Sequence, residues 1–247
     1  TMYDYFCLSI PVVFMLYVVP TPVGNLEDMT LRAIRVLREC DVILCEDTRT
    51  SSKLLNHFDI KKPLWSFHAF NEHKALKGIT DQLTEGKNIA LISDAGTPGI
   101  SDPGFLLVRE CQTLGLPVTC LPGPTAFVPA LVASGLPADR FYFEGFLPHK
   151  KGRQTRLLYL AGLDATVILY ESPQRVLRCL GEISRYFGES RKVCVAREIS
   201  KLHEEFLTLP VQEAAEHFTK HPARGEIVIV VEGAGKDKNK QTEEETD

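Results

Sequence analysis

Short β-branched, apolar runs alternate with stretches of helical periodicity along most of this chain, and that alternation restricts it to βαβ units around a largely parallel sheet. Strands are predicted over residues 16–19, 41–45, 63–67, 89–93 and 117–121. Between them, Leu31, Ile34 and Leu37 recur at helical spacing behind Asp28 or Thr30 as N-cap, and Leu76, Ile79 and Leu83 mark a second helix. The rhythm restarts after Pro122 to Ala126 (PGPTA) with FYFEG, a helix through Arg156, VILYE, a helix from Pro173, VCVARE and IVIVVEG, while HEEFLTLP adds a strand. A chain of 247 residues, 44% apolar and 24% charged, can bury two such cores. The expected division is an N-terminal α/β domain over 15–122 and a C-terminal one over 123–235, joined near Pro122 to Pro129, with no internal repeat.

Both ends stand apart. The apolar run from Phe6 to Val19 is too short to span a bilayer, and no Lys or Arg precedes it as in a signal peptide; residues 1–14 are expected to be an extension, non-native if Met15 is the natural start. The tail 236–247 has no apolar residue and is expected to be solvated and disordered. No membrane partner is expected. Seven cysteines without a CxxC pair, several in apolar runs (Cys45, Cys120, Cys194), suit reduced thiols in a cytoplasmic protein. No HExxH occurs, and His68 and His73 are five residues apart, so no metal site is expected.

Chemistry concentrates at strand ends. SDAGTPGISDPG (93–104) follows a buried strand and precedes a helix; its glycines and prolines build a rigid loop that ligands can approach closely, and it supplies Asp94 and Asp102. It matches neither a P-loop nor GxGxxG, which argues against a phosphate cradle and a nicotinamide dehydrogenase. PTPVGNLEDMT (20–30) lies between another strand end and a helix. CEDTRTSS (45–52) places Glu46, Asp47 and Arg49 at the end of the second strand. Side chains alternate along a strand, so the two acids cannot both enter one pocket, and one is expected to pair with Arg49. SFHAFNEH (66–73) adds His68, Asn71 and Glu72 at a third strand end. The net charge of −4 (28 Lys and Arg against 32 Asp and Glu) means that any RNA contact must be local, and PHKKGRQTR (148–156) offers Lys150, Lys151, Arg153 and Arg156 with no acid. A basic first helical turn opposes the helix dipole, which hints at a partner.

These stretches, with CDVILCEDTR, LPGPTA, YESPQRV, AREISK and GEIVIVVEG, run in order from Leu16 to Gly233 and resemble the ribosomal RNA 2′-O-ribose branch of the tetrapyrrole methylase family. Other branches of that family have a GGDP-like loop where this chain has SDAGTPG. The resemblance implies a two-domain class III methyltransferase fold with S-adenosylmethionine in the inter-domain cleft, in a homodimer, methylating a cytidine of 16S rRNA in the small ribosomal subunit. Carried over residue by residue, it implies cofactor contacts at Asp94, Gly96 and Thr97, at Thr125 and Ala126, at Tyr170 and at Gly225. Thr125 stands where relatives commonly have Ser, and Gln174 where they often have His. For methyl transfer to a ribose hydroxyl, the expected base is one of Glu46, Asp47 and His68, with Arg49 orienting phosphate or a carboxylate. Competing readings are a same-fold methyltransferase acting on a tetrapyrrole or other small acceptor, and a non-catalytic RNA- or cofactor-binding protein.

Overall fold

A computed structural model describes residues 14–235. The terminal segments singled out above, apart from Phe14, lie outside the described residues. The chain forms two compact units, divided between Thr125 and Ala126.

In the first unit, β1 (Leu16–Val18), β2 (Val42–Cys45), β3 (Leu64–Ser66), β4 (Ile89–Leu91) and β5 (Val118–Cys120) form one sheet in the order β3-β2-β4-β1-β5. Every pairing is parallel. Helices α1 (Leu31–Glu39) and α2 (Thr48–His57) lie on one face: Ala33, Val36, Leu37 and Leu55 pack with Val19, Ile43 and Ile92. Helices α3 (Glu72–Thr84) and α4 (Phe105–Thr113) cover the other, where Ile79, Leu83 and Leu107 pack with Leu16, Leu44 and Leu91. Of the two candidate N-caps for α1, Thr30 serves: its hydroxyl accepts from the Ala33 N–H at 3.1 Å.

This topology fixes where a ligand can enter. The chain leaves β1 toward β2 over one face and leaves β4 toward β5 over the other, so the neighbouring strands β1 and β4 flank the point where the winding reverses. The loops that follow them are PTPVGNLEDMT and SDAGTPGISDPG.

The second unit departs from the parallel sheet expected from its rhythm. Its strands β6 (Phe141–Phe146), β7 (Thr166–Glu171), β8 (Lys192–Arg197), β9 (Glu205–Pro210) and β10 (Ile227–Val231) are ordered β6-β7-β10-β8-β9, and only β6 and β7 run parallel. The other pairings are antiparallel. The connection from Arg197 to Glu205 is too short for a parallel crossover and closes a hairpin instead. Helices α6 (Arg153–Ala161), α7 (Val176–Phe187) and α8 (Val211–Lys220) pack on one face of the sheet, and α5 (Phe127–Ala133) on the other.

Among the described cysteines only Cys120 is exposed, because β5 is an edge strand. No helix among the described residues is long and apolar enough to cross a membrane. No group of three or more described His, Cys, Asp or Glu side chains is arranged to hold a metal ion.

Candidate active site

The carboxyl ends of β1, β2 and β4 converge through backbone pairing. Thr21 and Gly96 exchange both hydrogen bonds, at 2.8 and 2.9 Å, joining the two loops that flank the reversal point. Buried Thr21 also donates its hydroxyl to the Ser93 carbonyl at 3.0 Å. Gly96 has φ of 80°, a left-handed conformation that glycine adopts without steric cost. The Thr97 hydroxyl donates to the Pro124 carbonyl at 2.9 Å, which ties the SDAGTPG loop to the PGPTA turn and to half-buried Thr125.

Glu46 and Asp47 take different roles, as strand alternation requires. Asp47 turns toward the start of α2 as its N-cap, accepting from the Arg49 N–H at 2.8 Å and from the guanidinium at 2.7 and 3.1 Å. These bonds hold its carboxyl down to about 2. Asp47 is therefore the acid paired with Arg49, whose own side chain is largely exposed.

The remaining acids are electrostatically coupled. The Asp47 N–H donates to Asp94 Oδ1 at 3.3 Å. Partial burial raises the Asp94 carboxyl above its ordinary range, and repulsion from Asp47 adds to this. Glu46 is raised by burial and then by repulsion from Asp94, against a favourable pull from His68. Asp102, at the far end of the same loop, is pushed up to about 6, first by burial and then by Glu46 and Asp94, while the Ser93 hydroxyl pulls it down. The His68 N–H donates to Asn71 Oδ1 at 2.8 Å, whereas its ring Nδ1 is buried with no hydrogen-bond partner.

Two acids that frame this site carried no assigned role in the sequence reading. Asp102 is named from the sequence, with Asp94, as a carboxylate of the Gly/Pro loop. Glu72, buried, accepts from the N–H groups of Gly104 and Leu106 at 3.1 and 3.2 Å and so closes the start of α4. Its position at the head of α3 beside Asn71 was visible; its target, more than thirty residues on, was not.

In the second unit, Tyr170 and Ala126 pack against the same apolar cluster around Ile168 and Val228, and the Tyr170 ring meets Phe143 and Phe146 edge-on. Gly225 leads into β10 with φ of 79°, and a Cβ there would overlap the Glu198 carboxylate. That carboxylate accepts from the Glu226 N–H at 3.0 Å and from Lys201 at 2.9 Å, which gives the AREISK segment a structural task.

The basic stretch does not present four free cations. Arg153 is buried, with its guanidinium on Glu182 at 2.7 Å and on the Pro148 carbonyl at 3.1 Å, and with Glu171 at 3.7 Å. Arg156 donates Nε to both Glu144 oxygens at 2.8 Å and lies over the Tyr142 and Tyr159 rings. Lys150 and Lys151 are exposed, with no ion pair among the described residues.

A doubly wound sheet whose reversal point carries a Gly/Pro loop and a carboxylate cluster, followed by a mixed-sheet unit, is an architecture shared with solved methyltransferases. Residues 15–246 match the Tetrapyrrole (Corrin/Porphyrin) Methylases, and the chain belongs to that family. The X-ray structure of cobalt precorrin-4 methyltransferase, a cobalamin biosynthetic enzyme, shares the fold with a TM-score of 0.66 at 17% identity, over 90% of this chain and 95% of that one. Within the family, the chain is 48% identical over 218 residues to the ribosomal RNA small subunit methyltransferase I of Thermotoga maritima, covering 88% of this chain and 98% of that protein. It is 47% identical over 221 residues to the protein of the same name from Synechocystis sp., covering 89% and 79%.

Proposed function

We propose that this chain methylates RNA of the small ribosomal subunit, with S-adenosylmethionine as donor and the 2′-hydroxyl of a 16S rRNA cytidine as acceptor. The observation that carries this reading is the set of Glu46, Asp94 and Asp102 around the winding reversal, three carboxyls each raised first by burial, with Asp94 further raising Glu46, and Glu46 and Asp94 further raising Asp102. Such a cluster is relieved by a ligand carrying positive charge. S-adenosylmethionine, a sulfonium with an ammonium group, fits that donor set, and the exposed Asp94 carboxylate belongs to it. Asp94, Gly96, Thr97 and Thr125 in the first unit, and Ala126, Tyr170 and Gly225 in the second, are assigned to the cofactor. The alternative of a tetrapyrrole or other small acceptor is not favoured, since relatives at 46–48% identity over most of the chain are named for ribosomal RNA.

When bound, the donor supplies an electrophilic methyl group. As the acceptor oxygen bonds to that carbon, the carbon–sulfur bond breaks and the hydroxyl proton must leave. Asp47, held low by Arg49, is a poor proton acceptor, whereas burial and Asp94 raise the Glu46 carboxyl above its ordinary range, which makes it the better one. Glu46 is therefore assigned as the base, with His68 as its polar neighbour and Arg49 as a phosphate contact. Alignment of the reacting atoms supplies much of the rest of the rate. Lys150 and Lys151 are assigned to RNA phosphate, whereas Arg153 and Arg156 hold the segment that carries them. The enzyme is read as a cytoplasmic homodimer.

The test is transfer of a labelled methyl group from S-adenosylmethionine to small subunits from cells lacking this modification, followed by nuclease mapping. A single 2′-O-methylcytidine is the expected product. No incorporation alongside measured donor binding would assign the chain another acceptor.

A further inference from the structure

The turn between β3 and α3 treats its two phenylalanines in opposite ways. Phe67 is 1% exposed, and its N–H donates to the Cys45 carbonyl at 2.8 Å. Phe70, three residues on, is 95% exposed, the highest value for any aromatic side chain among the described residues. Its turn is firmly built. Asn71 accepts from the His68 N–H at 2.8 Å and donates to the Ser66 carbonyl at 2.9 Å, and the Asn71 and Glu72 N–H groups both donate to the His68 carbonyl at 2.9 Å. A large ring held in water on a fixed turn gains nothing for folding.

Its surroundings name a ligand. The ring lies edge-on to His68, with centroids 6.0 Å apart, and His68 is electrostatically coupled to Glu46 at the carboxylate cluster. Four and seven residues after Phe70, Lys74 and Lys77 are exposed on α3, three residues apart and so on one helical face, and neither forms an ion pair among the described residues. An exposed aromatic ring followed within two helical turns by unpaired cations is a combination that suits single-stranded nucleic acid, the ring stacking a base and the cations taking phosphates.

We propose that Phe70 is a stacking platform for an unpaired base of the RNA acceptor, with Lys74 and Lys77 holding the phosphates next to that base. This rests on the reading of the chain as an RNA methyltransferase and makes Phe70 a determinant of how the acceptor strand is presented to the carboxylate site.

The experiment compares Phe70→Ala, Phe70→Trp and Lys74→Glu/Lys77→Glu with the parent protein, by binding to a short fluorescent oligocytidylate and by KM and kcat for methyl transfer to small subunits. Phe70→Ala is expected to weaken oligonucleotide binding and raise KM by roughly tenfold. Its melting temperature and its affinity for S-adenosylmethionine stay at the parent values, and Phe70→Trp restores binding. The double charge reversal is expected to weaken binding and flatten its salt dependence. Parent-like oligonucleotide binding by Phe70→Ala overturns the proposal. So does a change of solution mass on Phe70→Ala, seen by light scattering, which would make the ring a contact between copies of the chain. Failure of the parent protein to methylate any RNA would sink the proposed function alone, because the stacking role is read from the binding ratio.

Discussion

The backbone N–H of Asp47 donates to the carboxylate of Asp94 at 3.3 Å, so the start of α2 and the loop after β4 share one hydrogen bond at the mouth of the site. That bond needs an oxygen acceptor at position 94 and not a charge. Asp94→Asn keeps the acceptor and removes the charge, so the melting temperature should stay near that of the parent. If the cluster recognises a sulfonium, Asp94→Asn should weaken S-adenosylmethionine roughly tenfold or more while weakening S-adenosylhomocysteine, whose sulfur is neutral, far less. Titration calorimetry with both ligands reads the difference, and equal losses would contradict charge recognition.

Glu72 supports the same loop from the opposite side. One buried oxygen satisfies the N–H groups of Gly104 and Leu106, which no turn of α4 can reach. Glu72→Ala should cost about 2 kcal/mol by stranding both donors, and Glu72→Gln, which retains an acceptor, distinctly less. Urea unfolding followed through Trp65 in the first unit gives both values.

Asp102 carries a pH signature. Its folded value near 6 lies above the ordinary 3.8, so the folded state holds this proton more tightly than the unfolded chain does. Its contribution is therefore fully present below about 4 and is lost as pH rises through about 6. After allowance for solvent screening at a half-buried group, the loss is on the order of 1 kcal/mol. Asp102→Asn should accordingly match or fall slightly below the parent at pH 5 and exceed it at pH 8. Denaturation midpoints at the two pH values test the sign, and a variant that loses stability at pH 8 would refute the repulsive account.

The first sheet was legible because its strands are short, apolar and separated by helical periods, and each predicted strand has bounds within two residues of an observed one. Other helices escaped the reading for separate reasons. In α2 only Ser51 and Leu55 are buried, so its apolar period is faint. In α5, Pro129 interrupts a seven-residue segment. The Val211, Ala214 and Phe218 spacing of α8 was present but follows β9 with no intervening turn. At the site, Glu46 and Asp94 stood out as strand-end acids. The elevation of Asp102 did not, because it depends first on tertiary burial and then on Glu46, which β2 brings near by lying beside β4 with Leu44 opposite Leu91. Local charge misleads most at residues 148–156, where a run of cations without an acid of its own looks free although Glu144 comes from the preceding strand and Glu171 and Glu182 from later elements.

That last contrast separates two kinds of arginine and lysine variant. Arg153 is a buried cation between Glu182 and Glu171, and removing it leaves Glu171 with Arg175 and Glu182 with the more exposed Arg178 as their remaining cations. Arg153→Met should therefore cost about 2 kcal/mol, below the loss expected for a fully stranded buried charge, seen as a lower denaturation midpoint. Lys150→Glu/Lys151→Glu touches no internal partner, so its midpoint should match the parent. The effects on RNA should be reversed. If both lysines contact phosphate, their loss lowers the slope of log affinity against log salt by about 2, whereas folded Arg153→Met keeps the parent slope. Affinity for small-subunit RNA measured across a salt series, with stability measured on the same samples, assigns each residue. A lysine pair that leaves the slope unchanged would remove phosphate contact from this segment and leave Arg153 with its structural role alone.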